Sequence, residues 1–146
     1  MAPMTELRKQ PRQTTAAGYL GGASANAVLL VAIHIWPGWQ VVPFLTAETP
    51  AVLGAVDAML VAGIVVNLLH VVWHPAWLTP VGVLVTTGFG LVATVRVLQV
   101  FPFAFGPGID WAAVVRVLLV LGVIGSVVGL VIALVQLLRL QSITRG

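Results

Sequence analysis

The segment that decides the fold runs from residue 111 to residue 138 and reads WAAVVRVLLVLGVIGSVVGLVIALVQLL. Arg116 is its one ionisable side chain, and the rest is almost entirely apolar. Because about 20 mainly apolar helical residues are enough to cross the hydrocarbon core of a bilayer, this segment predicts a transmembrane helix. It is longer than a perpendicular crossing requires, so we expect the helix to be tilted or to extend beyond the bilayer.

Three further apolar blocks precede this segment, and each is also long enough to cross a membrane. The breaks between the blocks contain most of the prolines, which end or kink helices. We therefore predict an all-α fold, an integral membrane bundle of four transmembrane helices at about 17–36, 51–73, 81–101 and 111–138. These helices form one transmembrane domain over 17–138, between a basic N-terminal tail over 1–16 and a C-terminal tail over 139–146.

The composition supports a lipid environment for this chain. Hydrophobic residues make up 60% of the 146 residues, charged residues make up 8%, and the mean hydropathy is +1.09. Soluble domains carry roughly 25% charged residues, so this chain has too few to cover a water-facing surface. The basic residues are separated by apolar blocks, which argues against a nucleic-acid partner. The absence of cysteine excludes disulfides, thiolate metal sites and iron–sulfur clusters.

The distribution of lysine and arginine predicts the orientation. The loops at 37–50 and 102–110 contain neither residue type, whereas the two ends of the chain do. By the positive-inside rule, both termini are expected in the cytoplasm, with the protein in the plasma membrane. The basic residues near the two ends are Arg8, Lys9, Arg12, Arg139 and Arg145.

A first candidate site consists of Asp57, Arg96 and Arg116, the ionisable residues predicted to lie within about 7–9 Å of the outer boundary. Charges inside a membrane are costly, so such residues are the first place to look for function. We expect Asp57 to pair with Arg96 or Arg116, and the sequence does not choose between them. The pair would fix the register of the helices, the arginines would extend to lipid headgroups, or the cluster would bind a small molecule.

A second candidate is a polar face in the inner half of the second helix, formed by Asn67, His70 and His74 at spacings of three and four. The two histidines have the spacing of a metal-binding pair, but zinc requires three or four protein ligands. We therefore predict a hydrogen-bonded face and no metal or other cofactor. Haem held by two histidines of one chain is disfavoured, because His34 is near the outer boundary and His70 is about 28 Å from it.

A third candidate is a small-residue face on the fourth helix, formed by Gly122, Gly125 and Gly129. Glycines allow close helix packing, and Arg116 projects from nearly the opposite side of this helix. If Arg116 turns inward to meet Asp57, the glycines face outward as an oligomer interface. If the glycines pack inward, Arg116 must extend to the headgroups. The face is therefore a candidate for helix packing or for oligomerisation.

Two loop segments carry a resemblance to a group of known proteins. The segments 36–45, WPGWQVVPFL, and 101–105, FPFAF, lie among helices rich in valine, alanine and glycine. They resemble the loops of small four-helix integral membrane proteins of actinobacteria that have no known activity. The resemblance covers most of 36–138 and implies the same four-helix topology, but it implies no chemistry.

No enzyme signature is visible in the sequence. The chain has no glycine-rich phosphate loop, no Ser/His/Asp arrangement and no close carboxylate pair. We therefore expect a non-catalytic membrane scaffold or accessory subunit that binds other membrane proteins, a second copy of itself, or lipid. The alternatives are a small-molecule carrier that uses the outer polar cluster, and a redox subunit that binds haem or quinone.

Overall fold

The computed structural model describes residues 15–146, and four long helices make up most of them. The helices are α1 (Ala16–His34), α2 (Pro50–Val72), α3 (Leu78–Val100) and α4 (Trp111–Thr144). Each is long and apolar enough to cross a membrane. The predicted all-α fold with four candidate membrane spans is confirmed, as expected for a multi-pass membrane protein. A short 3-10 turn, Trp39–Val41, lies in the loop between α1 and α2.

Proline positions explain the ends of the two central helices. Pro50 is the first residue of α2, where no intrahelical N–H donor is required. The third helix begins at Leu78, earlier than the predicted position 81, and so includes Pro80 in its first turn. This is tolerated because the first four N–H groups of a helix have no intrahelical acceptor.

The last helix extends beyond its predicted end. It begins at Trp111, where the Asp110 side chain caps the helix by accepting a hydrogen bond from the Ala113 N–H at 3.0 Å. It then continues past Leu138 to Thr144, for 34 residues in all. A helix of that length spans about 51 Å, whereas the hydrocarbon core is about 30 Å thick. Most of the predicted C-terminal tail is therefore a continuation of α4.

The helices pack in chain order. The contacts between the long helices join α1 to α2, α2 to α3 and α3 to α4, and no Cα atom of α1 lies within 8 Å of one of α4. The bundle is thus open between its first and last helices. Burial reflects this arrangement, because α1 buries only Ala23 and α4 buries only Ala133. Apolar side chains in lipid gain little from burial, so helices approach closely mainly where small residues allow it.

The loops 35–49 and 101–110 lie at one end of the helices, which we call the loop end. The opposite end, with residue 15, the loop 73–77 and residue 145, is called the terminal end. At the loop end, the Thr46 N–H donates to the Pro102 carbonyl at 3.0 Å, and the Ala104 N–H donates to the Phe44 carbonyl at 2.8 Å. The ring of Phe44 also stacks on Phe105, with centroids 5.8 Å apart. The two loops are therefore joined to each other.

Candidate functional site

Polar side chains line the contact between α1 and α2 from one end to the other. We call this set of residues the polar seam. The order of the pairs is that of two antiparallel helices: residues later in α1 contact residues earlier in α2. From the loop end to the terminal end, the seam contains the pairs His34–Asp57, Asn26–Gly63, Gly22–Asn67 and Tyr19–His70.

The pair at the loop end corrects the expectation for Asp57. Its Oδ1 lies 2.8 Å from Nε2 of His34, and the two side chains are 31% and 41% exposed. The expected partner was an arginine of the third or fourth helix. His34 takes that place because it lies directly across the α1–α2 contact. No Cα atom of α4 lies within 8 Å of one of α2, and Arg96 is exposed on the surface of α3. Asp57 is thus hydrogen-bonded within the first helical hairpin.

The predicted cluster of Asp57 with two arginines is not assembled. Neither Arg96 nor Arg116 lies within 4.0 Å of an acidic side chain of residues 15–146. The guanidinium carbon of Arg116 instead lies 4.5 Å from the ring centroid of Phe101, a cation–π contact at the loop end. Arg96 is exposed on the surface of α3. The three ionisable residues therefore do not form one site.

Two asparagines fill the centre of the seam, each lying over a glycine of the opposite helix. A Cβ atom added to Gly63 would lie 2.5 Å from Nδ2 of Asn26, and one added to Gly22 would lie 2.9 Å from Oδ1 of Asn67. The Asn67 amide also donates to the Gly63 carbonyl at 2.7 Å. The arrangement is reciprocal, because both helices carry the pattern Gly-x-x-x-Asn. Any larger residue at these two positions would require the opposing amide to shift.

His70 joins three helices near the terminal end. Its side chain is buried, and its ring stacks on Tyr19 of α1 with centroids 4.7 Å apart. Its Nδ1 lies 2.8 Å from the Val66 carbonyl oxygen, which can only accept, so the Nδ1–H donates. From α3, Gly82 approaches so closely that an added Cβ would lie 2.9 Å from Cε1 of the ring. The imidazole is therefore a packing element of the α1–α2–α3 contact.

His74 does not belong to the predicted inner polar face. The second helix ends at Val72, and His74 lies in the exposed loop that follows. The face is thus limited to Asn67 and His70. Because the helix stops two residues short, the helical spacing of the two histidines no longer places their side chains together.

Two observations bear on metal and haem binding. Within residues 15–146, no group of three or more histidine and carboxylate side chains could hold a metal ion. His34 and His70 lie at opposite ends of the seam, about 20 Å apart along the helix axis. They therefore cannot bind the same haem iron within one chain.

Two of the three glycines on α4 face the neighbouring helix. A Cβ added to Gly122 would lie 3.6 Å from Cγ2 of Thr94, and one added to Gly129 would lie 3.8 Å from Cγ2 of Thr87. Gly125 has no atom within 4 Å of an added Cβ. The glycine face is therefore divided, with two positions used in α3–α4 packing and Gly125 left open.

This division predicts opposite responses to the same substitution. Gly129→Leu is expected to lower the free energy of unfolding by about 1 kcal/mol, because the leucine atoms beyond Cβ extend into the α3–α4 contact, where Thr87 already lies 3.8 Å from an added Cβ. Gly125→Leu is expected to leave stability unchanged, because its side chain enters open space. Unfolding in detergent, followed by circular dichroism during an SDS titration, measures both. Equal losses from the two variants would show that Gly129 does not face α3.

The polar seam could have been predicted from a repeated sequence pattern, although not from the charged residues. Tyr19, Asn26 and His34 were not predicted as site residues, yet they supply the α1 half of three of the four pairs. The signal is the repeat of Gly-x-x-x-Asn at 22–26 and 63–67, one copy in each helix of the first hairpin. Two such copies in antiparallel helices place each asparagine opposite the glycine of the other.

The polar groups of the seam interact within the hairpin of α1 and α2. The bond between His34 and Asp57 joins α1 to α2, whereas Asn67 and His70 donate to carbonyls of α2 itself and contact α1 by packing. Two threonines of α3 and one serine of α4 likewise donate to carbonyls of their own helices: Thr86 to Gly82, Thr94 to Gly90 and Ser126 to Gly122. Comparison of the chain with models of protein families, with curated proteins and with solved structures gives no match.

Proposed function

We propose that the protein is a non-catalytic scaffold or accessory subunit of the membrane, which binds a second copy of itself or another membrane protein. The observation that carries the proposal is the open bundle. Each terminal helix packs on a single neighbour, so most of its circumference is available to another helix. Association in lipid is driven by van der Waals packing and by polar contacts between helices, and an unpacked helix face offers the first of these.

The exposed face of α4 is the strongest part of this surface. Ile124 and Val131 project away from α3 and are 55% and 56% exposed. On α1, Val28 points away from α2 and is 65% exposed. The surface around these residues is apolar. Arg116 is exposed on the same side of α4, but it lies about 12 Å from Ile124 toward the loop end, beside Phe101. A partner helix at Ile124 and Val131 would thus gain apolar packing at a distance from that charge.

The polar seam favours this proposal over the carrier and haem alternatives. A carrier built on Asp57, Arg96 and Arg116 would require the three side chains to converge, and Asp57 instead bonds to His34. A haem subunit would require two ligands at one depth. We further propose that the protein lies in the plasma membrane with both termini in the cytoplasm, on the basis of the basic residues near its two ends.

Site-specific photocrosslinking tests the scaffold proposal. Benzoylphenylalanine in place of Val28 or of Ile124, irradiated in native membranes, is expected to form a crosslinked product of one defined mass, because the excited ketone inserts into C–H bonds of a helix packed against it. The matched control is the same replacement of Val92, which is 59% exposed on α3, outside the proposed surface, and should give no product. A protein that stays at its monomer mass with the photocrosslinker at both test positions would contradict the proposal.

A further inference from the structure

A groove lies at the terminal end between α3 and the last turns of α4. It exists because α3 begins at Leu78, whereas α4 continues to Thr144 and passes beside the start of its neighbour. The groove has a volume of about 400 Å³. Its lining consists of Trp77, Val81, Leu137, Leu140, Gln141 and Thr144.

The polarity of the groove changes along its length. Val81 and Leu137 lie toward the membrane centre, whereas Gln141 and Thr144 lie toward the terminal end. The distance from Leu137 to Thr144 along the helix is about 10 Å. Trp77 stands at the edge, as tryptophan does at the boundary between lipid and water. A molecule that fits this gradient has an apolar chain and a polar head.

The charge around the groove is positive. Arg145 follows Thr144 and lies one turn beyond Gln141 on the same face of α4, whereas Arg139 projects from nearly the opposite face. The acidic residues among 15–146 are Glu48, Asp57 and Asp110, and all of them lie in the loop-end half of the protein. The terminal end of the described chain therefore carries arginine side chains and no acidic side chain, which favours an anionic head.

We propose that this groove binds an anionic phospholipid, with one acyl chain along Val81 and Leu137 and the phosphate near Gln141 and Arg145. The lipid belongs to the leaflet on the side of the chain termini, since the polar end of the groove is there. This site is separate from the scaffold role and does not depend on it, because it uses neither α1 nor the exposed face of α4 around Ile124.

Native mass spectrometry with two lipids of identical acyl chains tests the proposal. The detergent-solubilised full chain is mixed with palmitoyl-oleoyl phosphatidylglycerol or with the phosphatidylcholine of the same chains. We expect one phosphatidylglycerol per chain to survive a collision energy that removes phosphatidylcholine. Arg145→Gln is expected to reduce this preference by about fivefold, which corresponds to about 1 kcal/mol for one basic residue near an anionic surface.

Filling the groove provides the second test. Leu140→Trp is expected to lower the bound fraction by about tenfold, equivalent to about 1.4 kcal/mol, because the indole takes the space of the acyl chain. The matched control is Ile143→Trp, which adds the same bulk in the same turn at a position that is 75% exposed and does not line the groove. Circular dichroism establishes that both variants fold.

Two results would overturn the proposal. One is equal retention of the two lipids by the unmodified protein, which would show that the anionic headgroup is not recognised. The other is equal lipid binding by the two tryptophan variants, which would show that the lipid does not bind in the groove. If Leu140→Trp does not fold, the exposed Arg145→Gln variant still decides, since an unchanged lipid preference contradicts the site.

Discussion

Gly63→Leu is expected to lower the free energy of unfolding by about 2–3 kcal/mol. Gly63 is buried and faces the Asn26 amide, which is 2.5 Å from the position of an added Cβ. A leucine there must push α1 away from α2 or force Asn26 into another rotamer, and either change breaks the reciprocal contact at the centre of the seam. An SDS titration in detergent, followed by circular dichroism, measures the loss.

Two controls separate this steric effect from a general intolerance of the second helix. Gly54→Leu places the same side chain on α2 where an added Cβ meets nothing within 4 Å, and it is expected to leave stability unchanged. Adding Asn26→Ala to Gly63→Leu removes the opposing amide and is expected to recover part of the lost stability. If Gly54→Leu costs as much as Gly63→Leu, or if Asn26→Ala gives no recovery, close packing across the seam is not the cause.

The second large effect concerns the pair at the loop end of the seam. His34→Leu is expected to lower the free energy of unfolding by about 1–3 kcal/mol, because it leaves the Asp57 carboxyl without its hydrogen-bond partner. Asp57→Leu alone should also destabilise the protein, because it leaves the His34 imidazole without its hydrogen-bond partner. The double variant is expected to lose less than the sum of the two single variants. Both side chains are partly exposed, so we expect a coupling of about 1 kcal/mol, in the lower part of the usual range.

A second cycle supplies the control for this pair. Asp57→Leu combined with Arg96→Gln is expected to be additive, because the two residues form no ion pair in the structure. Coupling between Asp57 and Arg96, with none between Asp57 and His34, would support the arginine pairing expected from the sequence. Coupling in both cycles would mean that Asp57 interacts with both His34 and Arg96.

The helices could be predicted because hydropathy is a local property of the chain. Uninterrupted apolar stretches bounded by prolines located all four helices, and the ends of the first two differ by one or two residues from those observed. The larger differences occur where the signal is weak. Proline does not prevent a first helical turn, so α3 starts at Leu78. The mixed segment 139–144 continues the helix although it is too polar to be counted as part of the span.

The candidate sites were predicted less well, because a site depends on which helices are neighbours. Asp57 was recognised as a costly intramembrane charge, but its partner was sought among arginines alone. Histidine was considered as a ligand and not as the partner of a carboxylate, so His34 was overlooked. The glycines of α4 were correctly recognised as small residues, but helical spacing cannot say that Gly122 and Gly129 face α3 while Gly125 does not.

The sequence by itself determined that the chain is helical and suited to lipid. In the absence of water, each span must satisfy its backbone hydrogen bonds internally. A single apolar stretch long enough to cross the membrane does this by forming a helix. The tertiary structure alone decided the pairing of Asp57 with His34, the interlock of Asn26 and Asn67 with the opposing glycines, and the gap between α1 and α4. These features depend on how each helix is rotated and on which helices are neighbours. The apolar surfaces of the helices are too similar to specify this, so a few small and polar residues determine it.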